Sequence, residues 1–486
     1  MVSVSPTGVP GLDEILGGGL PDRTLTLIAG VPGAGKTILA AQVAVHHAKQ
    51  GKHVLVFTAL SESHERLLAD LSGFSFADRS LIGDHLRFYS VDAAIDEGLP
   101  AVSALIVETA RHERASLVVL DGFHSLTGFA NGRHEINRFL HTLRSRLALL
   151  DVTVLVTYET DIERRRESGT LTIADGILAL HNTLRGERHH RWLEVVKLRG
   201  AAHYDGLHTL TITGEGITLY PRHEAAYRAA KYTVGTDRAA LGLPELDAML
   251  GGGPNRSTVT FLAGSPGTGK TLTCLHFLMA GADAGEPGLL VGLAEGESQL
   301  LLKAANFGLD VEGAIARGTL SLLTVSPAEV DVDILAAAVR ERVEHRGIRR
   351  LVIDPVSVVE GAIPFPARGP RFMASLLDYL RAHDATTLLT QESVRFGGGR
   401  LGEAVAAVLS DNLISLRWVE YRNRLMRILS VQKMRGSAFD TTLREYQIEN
   451  GDIRVLPLVE SAEGVVAGIT AQEQHEGRRT RQNRRG

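Results

Sequence analysis

The sequence predicts two tandem α/β domains, each a mainly parallel, doubly wound sheet, and three observations carry that reading. The segment from Gly8 to Gly19 recurs from Gly242 to Gly253, keeping Leu12 as Leu246, Asp13 as Asp247, Leu16 as Leu250 and the closing glycine triplet. Within each copy, short β-rich apolar runs alternate with helical patterns, as strands buried on both faces and joined by crossover helices should. A glycine-rich loop of the form G-x-x-x-x-G-K-[ST] follows the first run in each copy, at the same offset as the entry segments.

The elements follow in order. The entry segment leads to a first strand, 25–29 in one copy and 259–263 in the other, and the glycine-rich loop then runs from Gly30 to Thr37 and from Gly264 to Thr271. Strand before and helix after is the context this loop needs to hold a polyphosphate. Gly30, Gly33, Ala34 and Gly35, with Gly264, Gly267, Thr268 and Gly269, wrap their backbone N–H groups around it. Lys36 and Lys270 reach the β- and γ-phosphates, and Thr37 and Thr271 offer a hydroxyl to Mg²⁺. The expected ligands are therefore ATP and Mg²⁺. Second strands are predicted at 54–58 and 289–293. Third strands end on Asp121 and Asp354, carboxylates suited to Mg²⁺ and its water. Fourth strands are predicted at 153–157 and 386–390, and a Lys-x-Arg-Gly segment recurs late, with Lys197 and Arg199 in the first copy and Lys433 and Arg435 in the second. The modules are placed at 1–222 and 235–457, with a linker at 223–234 and a basic, disordered tail at 458–486.

Composition narrows the class. A 486-residue chain with 44% hydrophobic residues has material for two sizeable cores. A formal net charge of −4 argues against a chain that coats nucleic acid. One cysteine, Cys274, allows neither a disulfide framework nor a cysteine-cluster zinc site within one chain, and reads as a small buried hydrophobe. The opening residues lack the pattern of a signal peptide and no run is long enough to span a bilayer, so a cytoplasmic protein without membrane contact is expected. Only eight of the 52 basic residues are lysines, and four of them, Lys36, Lys197, Lys270 and Lys433, lie in the motifs above.

The glycine-triplet entry, phosphate loop, strand-ending aspartate and late Lys-x-Arg-Gly, each present twice between residues 8 and 457, resemble the double-module KaiC family of RecA-like P-loop ATPases. The resemblance implies ATP hydrolysis and a homo-oligomeric ring, usually of six subunits, with ATP at subunit boundaries. It implies that Lys197 and Arg199, and Lys433 and Arg435, reach a neighbour's γ-phosphate, where a cation on the side the loop cannot reach stabilises the transferring group. It places His203 in a nucleoside-contacting segment; Phe439 stands at the matching place in the second module. It also implies a regulatory protein partner and serine/threonine kinase activity.

The chain departs from the family in two places. Where the family carries paired glutamates after the second strand, this sequence has Ser61-Glu62 and Ala294-Glu295, so Glu62 and Glu295 are the remaining candidates for activating water, and slow turnover is expected. The positions matching the clock-type phosphorylated Ser-Thr pair are Ala407 and Val408, which carry no hydroxyl. Nearby Thr390 and Ser410 read as ordinary strand-edge residues. The run from Arg164 to Arg166 and the arginines of the tail read as solvated charge, with nucleic acid or an acidic partner as the sharper alternative. Three functions stay open: a nucleotide-switched regulatory ring, a nucleic-acid-dependent ATPase of the RecA or RadA kind, and a slow-turnover scaffold.

Overall fold

The computed structural model describes residues 3–59, 69–161, 172–185, 188–228, 232, 235–392, 408–421, 424–449 and 451–458. The chain divides into two compact units, 1–226 and 227–486. Each holds one nine-stranded sheet.

In the first unit a short pair, β1 (Val4–Ser5) and β2 (Leu20–Pro21), precedes β3 (Leu25–Gly30), β4 (Val54–Thr58), β5 (Leu86–Ser90), β6 (Leu117–Asp121), β7 (Thr153–Glu159), β8 (Gly176–Arg185), β9 (Arg188–Leu198), β10 (Leu207–Thr213) and β11 (Gly216–Tyr220). The sheet order is β11-β10-β9-β8-β3-β7-β6-β4-β5. The six strands from β8 to β5 are parallel, and β9 to β11 extend the sheet as an antiparallel meander. The second unit repeats this with β12 (Val259–Gly264), β13 (Gly288–Gly292), β14 (Leu320–Thr324), β15 (Arg350–Asp354), β16 (Thr386–Glu392), β17 (Asn412–Tyr421), β18 (Arg424–Met434), β19 (Arg444–Glu449) and β20 (Asp452–Pro457), in the order β14-β13-β15-β16-β12-β17-β18-β19-β20. Both are the mainly parallel α/β sheets expected of two tandem RecA-like domains.

Every residue of β3 and of β12 is buried, because helices cover both faces of each sheet. Side-chain alternation divides the core. Leu25, Leu27 and Ala29 pack with α2 (Leu99–His112) and α3 (Arg133–Ala148), while Ile28 points the other way, toward Leu39 and Val43 of α1 (Lys36–Lys49). In the second unit Val259, Phe261 and Ala263 pack with α6 (Val332–Arg346) and α7 (Gly369–Ala382), and Leu262 packs on α4 (Lys270–Asp283). Cys274 is fully buried on α4, and burial pushes its thiol well up, as a small core hydrophobe. The helix α5 (Glu297–Asn306) follows β13.

This topology sets where chemistry can occur. In a doubly wound sheet ligands bind beyond the carboxyl ends of the strands. Gly30 and Gly264 end the central strands there, and the loops that follow turn directly into α1 and α4.

Candidate nucleotide site

The turn from strand to helix needs glycine at the helix boundary. Gly35 and Gly269 cap α1 and α4 with φ of 102° and 101°, a left-handed conformation that any side chain would strain. At the other end of the loop a Cβ on Gly264 would stand 2.4 Å from the Leu416 carbonyl oxygen, and one on Gly30 equally close to Leu180. Gly33, Ala34, Gly267 and Thr268 lie between, Thr268 fully buried with its hydroxyl donating to the Ser265 carbonyl at 2.8 Å.

The lysines that follow lie over their own loops. Lys36 Nζ donates to the Val31 carbonyl at 3.0 Å, and Lys270 Nζ to the carbonyls of Gly264 at 2.9 Å and Ser265 at 3.0 Å. Burial pulls both ammonium groups below the usual lysine range, while carboxylates oppose the shift: Glu159 and Asp121 act on Lys36, Glu392 and Asp354 on Lys270.

The next residue in each helix meets the strand-ending aspartate. Thr37 Oγ1 lies 3.2 Å from both oxygens of Asp121, and Thr271 Oγ1 donates to Asp354 Oδ2 at 2.6 Å. A second threonine holds each aspartate from the neighbouring strand. Thr157 of β7 donates to Asp121, and Thr390 of β16 donates to Asp354. Thr390 is therefore not a strand-edge residue: β16 lies between β15 and β12, and its threonine is fully buried beneath the aspartate. Ser410 is also fully buried.

One hydroxyl and one carboxylate per site are hard oxygen donors that fit Mg²⁺, which binds through one or two protein oxygens plus phosphate and water. Among the described residues no group of three or more His, Cys, Asp and Glu could hold a metal ion alone.

In the second unit these groups open onto a cavity of about 460 Å³ lined by Lys270, Thr271, Asp354, Glu295, Phe307 and Arg427 among others, a volume suited to a small-molecule ligand. Arg427 stacks on Trp418, 4.2 Å from the ring centroid, and both donate to the loop, Arg427 Nε to Gly267 at 3.3 Å and Trp418 Nε1 to Pro266 at 3.2 Å. Neither Phe307 nor Arg427 belongs to a motif legible in one sequence. Glu295 faces the cavity with both oxygens 2.6 Å from Lys303 Nζ. Ser61, Glu62, Ala407, the run 164–166 and the tail arginines lie outside the described residues.

The Lys-x-Arg pairs are placed at the opposite end of the sheet from the phosphate loop of their own unit. Lys197 Nζ donates to the carbonyls of Thr172 at 2.8 Å and Ala174 at 2.6 Å, and Lys433 Nζ to Ser410 at 2.6 Å. Burial, and then the adjacent Arg199 or Arg435, pulls both lysines below their usual range. The backbone N–H groups of Arg199 and Arg435 donate to the Asp175 and Asp411 carbonyls, at 2.9 and 3.0 Å. From Asp175 to Leu180, which pairs with Gly30, the strand advances five residues, about 16 Å at ~3.3 Å per residue. The same five residues separate Asp411 from Leu416 beside Gly264. The guanidinium groups are more than half exposed. His203 Nε2 lies 3.7 Å from Asp205, and Phe439 packs against the core of its unit.

A family model for the KaiC ATPase matches residues 5–224 and 239–460. The circadian clock oscillator protein KaiC of Picosynechococcus sp. is 30% identical over 479 residues, covering 95% of this chain and 91% of that protein. The protein of the same name from Rippkaea orientalis is 30% identical over 491 residues, covering 97% and 92%. Circadian clock protein KaiC3 of Synechocystis sp. is 28% identical over 492 residues, covering 97% and 95%.

Proposed function

The chain belongs to the KaiC ATPase family, and from that premise we propose that it binds and hydrolyses ATP in both modules and assembles into a ring whose nucleotide state governs the surface offered to a partner protein. The observation that carries this is the constellation found twice: a P-loop lysine, a helix-opening threonine, and a strand-ending aspartate within hydrogen-bond reach of that threonine. Lys36 and Lys270 bind the β- and γ-phosphates of ATP, and the loop N–H groups orient them. Mg²⁺, held by Thr37 and Asp121 or by Thr271 and Asp354, supplies charge neutralisation on those phosphates.

Ring assembly rests on the Lys-x-Arg placement. An arginine whose backbone lies about 16 Å along the strand from the phosphate loop of its own unit serves a γ-phosphate only when another subunit presents the loop. Six subunits are proposed from the family resemblance, with the cytoplasm as the compartment. Among the described residues no helix is long and apolar enough to cross a membrane. Val408 lies at a clock-type phosphosite and cannot accept phosphate, so any kinase activity acts on other hydroxyls.

Incubating the full chain with Mg²⁺ and ATP labelled on the γ-phosphate, with mass measured in solution, tests the proposal. Free labelled phosphate from a ring-sized particle is expected. Label on the protein would reveal kinase activity. A monomeric particle under saturating ATP would remove the ring, and bound but uncleaved ATP would leave a nucleotide-dependent scaffold, the reading that Ala294 in place of an acid favours.

A further inference from the structure

The second-unit cavity contains three carboxylates: Asp354, Glu295 and Glu392. Asp354 is committed to Thr271 and Thr390 and to the metal position. Glu295 has each oxygen 2.6 Å from Lys303 Nζ, so its charge is compensated and its lone pairs are engaged. Glu392 is different. It ends β16 directly beside Gly264, its partner in the parallel register, where the phosphate loop begins. It is exposed and lines the cavity beside Lys270, whose ammonium its charge favours.

The first unit has the same arrangement. Glu159 ends β7 beside Gly30, and its carboxylate acts on Lys36 more strongly than that of any other residue. The two glutamates belong to a Thr-x-Glu segment that recurs between the modules, as Thr157 to Glu159 and as Thr390 to Glu392. Its threonine holds the metal aspartate and its glutamate stands next to the loop. Alternation along the strand sends both side chains to the same face of the sheet.

We infer that Glu392 and Glu159 are the water-activating acids of the two sites, in the role left vacant by Ala294 and Ser61. This rests on the ATPase reading above. The attacking water loses one proton to the glutamate carboxylate as its oxygen forms a bond to the γ-phosphorus. The bond between that phosphorus and the β,γ-bridging oxygen breaks with its electron pair retained by ADP. The glutamate then passes its proton to solvent, leaving ADP and inorganic phosphate.

The test uses the full chain carrying Glu392→Gln, Glu159→Gln, both, or Glu392→Asp. Phosphate release, affinity for a fluorescent ATP analogue and the ATP-to-ADP ratio of bound nucleotide are measured together. Removing a general base lowers the rate by about 10² to 10⁴. Each single glutamine variant is expected to retain one uncleaved ATP per chain and the double variant two, with affinity for the analogue changed by less than about threefold, while Glu392→Asp partly keeps second-unit turnover. Parental turnover in the double variant overturns the inference, as does second-unit turnover, read in a Lys36→Ala background, that is lost in Glu295→Gln and kept in Glu392→Gln. A parent that binds ATP and releases no phosphate overturns the ATPase reading itself, and this inference with it.

Discussion

Thr271 Oγ1 donates to Asp354 Oδ2 at 2.6 Å, tying the first turn of α4 to the end of β15 across 83 residues of chain. That contact brings two oxygens to one point at the rim of the cavity. Thr271→Ala is expected to weaken Mg²⁺-supported ATP binding in the second unit by about 10- to 100-fold, with Thr271→Ser restoring it. Nucleotide titration with and without Mg²⁺ checks this, and an undiminished Mg²⁺ response in the alanine variant would remove the metal assignment.

Each P-loop lysine serves the loop of its own unit, as the contacts to Val31 and to Gly264 and Ser265 indicate. Lys36→Ala and Lys270→Ala are each expected to leave one bound nucleotide per chain where the parent has two. Counting nucleotide in the isolated protein decides it. Two retained in either variant would show that the lysine is dispensable.

The Lys-x-Arg placement predicts complementation between subunits. Two chains are made in a Lys36→Ala background, one also carrying Lys270→Ala and the other Arg435→Ala, each expected to be inactive alone. Mixed rings regain a sound loop facing a sound arginine at roughly a quarter of interfaces, so turnover should reappear on mixing. Continued inactivity in demonstrably mixed rings would place Arg435 outside the neighbour's site.

His47 supplies a pH dependence of stability. It is buried on α1 with Nε2 3.1 Å from the Pro6 carbonyl; burial, then Lys52 and His46, lowers its pKa from 6.5 to about 4. The folded state therefore favours neutral imidazole. Its contribution is present above pH 6.5, declines as the unfolded chain takes up the proton, and is lost as pH falls through about 4. The effect is at most roughly 3 kcal/mol. Trp192 lies in the first unit and Trp418 in the second, so unfolding of a Trp418→Phe chain followed by fluorescence reports on the first unit. His47→Gln should flatten the pH slope between 6.5 and 4, and an unchanged slope would assign it to other groups.

Membership of the family and the α/β class were legible in the sequence because both depend on local patterns. A phosphate loop needs its glycines, lysine and threonine close together in the chain, since one strand-to-helix turn must present them all, and the internal repeat shows the module twice. Asp121 and Asp354 were legible as the ends of apolar runs. What only the tertiary structure decided is which distant strands lie side by side. Glu392 is remote from Gly264 along the chain and becomes its neighbour because a crossover places β16 beside β12; Thr390 reaches Asp354 because β16 also lies against β15. The remoteness of Lys197 and Lys433 from their own phosphate loops follows from strand direction, since β9 and β18 run antiparallel to β8 and β17 and carry these lysines back to the end of the sheet opposite the loops. Spacing in a sequence encodes contacts within a turn or a helix face, whereas contacts across a sheet depend on strand order and direction, which are set by how the helices pack on its two faces.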